Sequence, residues 1–95
     1  MTIETNAIKE ISSKVLTFIN DNISQVDIDK DYYTIISSDE WYNINTEKYT
    51  LVVGSLSEDL EFLKQIIEDN RTVSISDLDR LSAIFRAISQ AINPI

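Results

Sequence analysis

Leu78, Leu81, Phe85, Ile88 and Ile92 recur at intervals of three, four, three and four residues. Only an α-helix gathers such positions into one stripe, because its turn of roughly 3.6 residues returns every third or fourth side chain to the same face. The last part of the chain is thereby committed to a helix, opened by Ser76 with Asp79 as a capping pair and stopped by Asn93-Pro94. The other end follows the same rule. Ile8, Ile11, Val15, Phe18 or Ile19, and Ile23 predict an amphipathic helix over residues 6–23, with Thr5 as N-cap and Asn22 as its stop.

Between these helices the pattern changes. Tyr32-Tyr33-Thr34-Ile35-Ile36 and Tyr49-Thr50-Leu51-Val52-Val53 are dense in β-branched and aromatic residues and are bounded by polar segments, as strands are. Residues 37–48 form either an irregular loop or a loop holding a short third strand at residues 41–44. Gly54, the only glycine, follows the second strand and is expected to turn the chain with a positive φ. Ser55 with Glu58, or Ser57 one turn later, caps a middle helix that runs through Leu60, Leu63, Ile66 and Ile67 to Asp69-Asn70. The expectation is a single α+β domain over residues 1–95. Its order is helix, strand, optional strand, strand, helix, helix, with a small antiparallel sheet of two or three strands covered mainly on one face.

Composition removes many activities. The 95 residues include no cysteine and no histidine, so disulfides, thiolate chemistry, cysteine-ligated metals and histidine-based triads have no residues to use. No cofactor is expected. The first residues lack the basic and apolar regions of a signal peptide, and no apolar run approaches the length of a membrane span, so a cytoplasmic location is expected. The net charge of −8 opposes direct binding of nucleic acid or an anionic membrane. All of that excess lies between Asp21 and Glu61, where ten acidic residues meet only Lys30 and Lys48. Outside the span six acids and six bases cancel.

The stretch Val26-Asp27-Ile28-Asp29-Lys30-Asp31-Tyr32-Tyr33 sets three carboxylates at alternate positions. Asp27, Asp29 and Asp31 match the first, third and fifth positions of an EF-hand loop. The sixth position needs glycine and holds Tyr32, and the twelfth needs glutamate and holds Ser38, so a calcium site is not expected. An extended segment would point the three aspartates to one side, with Val26 and Ile28 toward the core. That acidic edge is either a solvated surface or a docking face for a basic protein, with imitation of a nucleic-acid backbone as a special case. Asp39, Glu40, Trp41 and Tyr42 extend it. Trp41 and Tyr42 are the kind of aromatic anchors that dominate interfaces, although a lone tryptophan equally closes a small core.

Two further uses compete with docking. The stripe of Leu78, Leu81, Phe85, Ile88 and Ile92, broadened by Ile84 and by Ala83, Ala87 and Ala91, is either a core face against the first two helices or a seam joining two copies of the chain. An enzyme would need two carboxylates or tyrosines, drawn from Asp39, Glu40, Tyr42 and Tyr49, brought together in a cleft. The leading expectation is a non-enzymatic acidic adaptor or inhibitor that meets a basic protein through residues 27–47. The alternative is a self-associating domain.

Three stretches also carry a resemblance: residues 31–35 (DYYTI), residues 53–60 (VGSLSEDL) and residues 77–88 (DLDRLSAIFRAI). Together they are similar to small cyanobacterial proteins of unassigned activity. The resemblance implies an aromatic strand, a helix entry after glycine, a closing helix and a bacterial cytoplasmic setting, and it implies no site residues.

Overall fold

The structure is a computed structural model that describes residues 1–36 and 51–93. Helix α1 spans Thr5–Asn22, strand β1 Tyr32–Ile36, strand β2 Leu51–Ser55, helix α2 Leu56–Glu68 and helix α3 Ser76–Ile92. This is the expected small α+β arrangement of three helices and an antiparallel sheet. The possible third strand and the calls on Asp39, Glu40, Trp41 and Tyr42 lie outside the described residues. No described helix is long and apolar enough to cross a membrane.

Strands β1 and β2 pair antiparallel, with Tyr32 opposite Ser55, Tyr33 opposite Gly54 and Ile36 opposite Leu51. The second strand ends two residues later than its composition suggests. Gly54 is therefore inside the strand and has no positive φ, contrary to expectation. Its role is steric. The Tyr33 ring lies across it, and a Cβ at residue 54 would overlap Cζ, Oη and Cε2 of that ring. Among the described residues the left-handed one is instead Asn70, at φ 55°, which follows the end of α2. Across it the Arg71 N–H returns to the Gln65 carbonyl at 3.1 Å, as side-chain-free or asparagine-bearing helix ends commonly do.

Helix starts differ from expectation in two places. Thr5 lies inside α1, preceded by Glu4, and no side chain caps that end. For α3, Ser76 is the first helical residue rather than the cap, Ile75 precedes it, and no side chain caps that end. The Asp77 N–H donates to the Ser74 carbonyl at 3.0 Å, while the Ser74 N–H donates back to Asp77 Oδ2 at 2.9 Å. The expected Ser76 and Asp79 pair therefore does not cap the helix; Ser74 and Asp77 instead hold the turn that leads into it. Ser55 caps α2 as expected, its Oγ accepting from the Glu58 N–H at 3.3 Å.

Packing departs furthest from expectation. Helices α2 and α3 pack on each other and β2 leads straight into α2, but α1 packs closely on neither. Among the described residues no apolar side chain is buried; the buried side chains are Ser55 and Asp77. The stripe of α3 is thus not a closed core against the first two helices. Leu78, Leu81 and Phe85 stay exposed, and so does Ile28, which was expected to face inward.

Candidate functional site

The polar groups of the fold sort into those that hold it together and those left facing solvent. Asp77, 5% exposed, belongs to the first group. Arg71 grips it with two nitrogens at 3.1 and 2.9 Å, and Arg80 Nη1 adds a third contact at 2.9 Å. Both guanidinium groups also lie over the Phe62 ring, at 4.0 and 4.3 Å from its centroid, and Arg71 donates to the Phe62 carbonyl at 3.0 Å. The two arginines thereby bind α2 to the start of α3. The Arg71 guanidinium first, and the Ser74 N–H next, hold the Asp77 carboxyl far below the usual carboxylate range.

Asp31 has a similar duty at the other end of α2. Because Tyr32 pairs with Ser55, residue 31 stands beside the first turn of that helix. Its carbonyl accepts from the Leu56 N–H at 2.8 Å, Oδ2 accepts from Ser55 Oγ at 2.6 Å, and Oδ1 accepts from the Ser57 N–H at 2.7 Å. The Ser55 hydroxyl and then the Ser57 N–H lower the Asp31 pKa, as expected for a carboxylate at the positive end of a helix. Tyr33 completes this unit by donating from Oη to Asp59 Oδ2 at 2.5 Å, which with partial burial pushes its pKa up to about 12. A phenol held protonated in this way fits no role as a base.

Asp27 and Asp29 make no hydrogen bond to another described residue and are exposed. They line an open cleft of about 450 Å³ between residues 27–33 and α3, together with Tyr32, Lys30, Arg86 and the small face of Ala83, Ala87 and Ala91. Tyr32 is 73% exposed there. Among the described residues two acids and two bases line the cleft and cancel. Among the described residues no three potential metal ligands converge.

A second concavity was not foreseen. Helix α1 and the C-terminal half of α3 enclose a groove of about 560 Å³, and none of its described lining residues is charged. One wall carries Phe85, Ile88 and Ile92 from the α3 stripe, the other Ile11, Val15 and Phe18. Phe18 is 67% exposed and Val15 51%. Of the residues proposed as a self-association face, Phe85, Ile88 and Ile92 line this groove, whereas Leu78, Leu81 and Ile84 do not. The α1 wall was legible as a 3–4 pattern, but that pattern looks the same whether the stripe meets its own chain or another.

Comparison with known proteins adds no assignment: no family model, curated protein or solved structure matches the chain.

Proposed function

We propose that the chain is a non-enzymatic protein-interaction module that works through the uncharged groove between α1 and α3, with an amphipathic protein helix as the occupant. The observation that supports this is the combination of an open apolar groove with the lack of any buried apolar side chain among the described residues. Apolar surface left in water at about 25 cal/mol per Å² is a driving force not yet used in folding, and helix-in-groove docking is the ordinary way to use it. A photoreactive amino acid at Phe18, introduced in the native cell, is expected to give a protein adduct that disappears when Ile88→Asp is added. The same probe at the exposed Val73, away from the groove, is expected to give none. Equal labelling from both positions would remove the proposal.

A second reading keeps the acidic segment. Asp27 and Asp29, which make no hydrogen bond to another described residue, stand beside the exposed Tyr32, and in the sequence Asp39, Glu40, Trp41 and Tyr42 follow. This surface would dock a basic protein, and Asp27→Asn with Asp29→Asn would then weaken binding and flatten its salt dependence. A net charge of −8 speaks against nucleic acid and anionic membranes as partners in either reading, and a chain without cysteine suits a reducing cytoplasm.

A further inference from the structure

We infer that the helix filling the groove is α1 of a second copy of this chain, so that two copies form a symmetric dimer built on α1 and α3. This inference rests on the groove being the interaction surface, and it names the partner.

Charge is the first reason. Two copies of a chain carrying −8 repel each other over most approaches, and they can pack only through surfaces free of that excess. The described lining of the groove is uncharged, and the helices that flank it are each balanced. In α1, Lys9 and Lys14 offset Glu10 and Asp21, and in α3, Arg80 and Arg86 offset Asp77 and Asp79. The acidic excess belongs to residues 21–61, so copies joined through α1 and α3 bring their neutral surfaces together.

Area is the second reason. Among the described residues no apolar side chain is buried, and on the two walls of the groove Ile11 is 57%, Val15 51%, Phe18 67% and Phe85 37% exposed. An obligate homodimer, in which each subunit buries about 1,000–2,500 Å², is the ordinary way for two such faces to be covered.

Self-complementarity is the third. A two-fold interface needs a surface that is ridge and groove at once. Helix α1 supplies both: Ile11, Val15 and Phe18 rise as an exposed ridge on a helix about 27 Å long, and the same helix forms one wall of the groove. Placing the ridge of each copy in the groove of the other gives a four-helix arrangement of two α1 and two α3 helices, with Phe18 and Phe85 as the aromatic anchors.

Sedimentation velocity of the full chain at roughly 10 μM tests this directly. The expected species has twice the 10.9 kDa chain mass. Phe18→Glu and, as a variant that removes no apolar atoms, Ser89→Arg are each expected to weaken dimerisation at least about 30-fold while circular dichroism stays helical. Val73→Glu, at an exposed position outside the groove, is expected to leave the dimer intact. A wild-type monomer, or a dimer indifferent to both Phe18→Glu and Ser89→Arg, would overturn the inference. If such a monomer still gives a Phe18 adduct with a different protein, the groove remains an interaction surface and only the identity of its occupant fails. If no adduct forms either, both fall.

Discussion

Asp77 and Asp31 are carboxylates spent on architecture, and their titration sets the acid limit of the fold. Both are held below the usual value of 3.8, so the folded state gains stability from them above that pH and loses it as the pH falls and they take up protons. Tyr33 acts at the opposite limit. Its pKa is raised to about 12 from 10.0, so its contribution is complete below pH 10 and disappears between pH 10 and about 12. Stability is therefore expected to be flat across neutral pH and to fall at both ends. Asp77→Asn should lower the thermal midpoint at neutral pH by roughly 5 °C and flatten the acid limb, and Tyr33→Phe should flatten only the alkaline limb, both readable from melting curves across pH. The acidic character of the chain was plain in its composition. Which aspartates are structural was not, because Asp27, Asp29 and Asp31 differ only in that the strand register carries the last one to the α2 N-terminus.

At the scale of elements, β1, β2 and the first turn of α2 form one unit closed by Tyr33. Its ring needs a bare backbone beneath it, and its hydroxyl reaches over Gly54 to Asp59 on the helix that follows. Gly54→Ala is expected to cost about 1–3 kcal/mol in urea unfolding, the range for overpacking. In a Tyr33→Ala background most of that penalty should vanish, since the clash has lost its partner; equal costs in both backgrounds would show that the glycine matters for another reason. The helices were readable to within a residue or two at most ends because amphipathic periodicity and the Ser55 cap are local properties. The end of β2 and the purpose of Gly54 were not, since both follow from pairing with residues about twenty positions earlier.

The whole molecule leaves an apolar groove where a single closed core was expected, and its stability should then depend on concentration. If dimerisation covers the groove, the thermal midpoint rises by roughly 3 °C for each tenfold increase in protein concentration, and Phe18→Glu removes that dependence. A midpoint constant over two decades of concentration would show that the isolated chain already has all the stability it will gain. Local sequence pattern was sufficient for the α+β class, the order of elements, the stripes of α1 and α3 and the confinement of negative charge to residues 21–61, because period, propensity and charge are properties of neighbouring residues. Tertiary structure decided what those stripes face. Periodicity requires that an apolar stripe meet something and is silent on whether that is the same chain, and only the open space between α1 and α3, together with the bonds that engage Asp31 and Asp77, separated surface from scaffold.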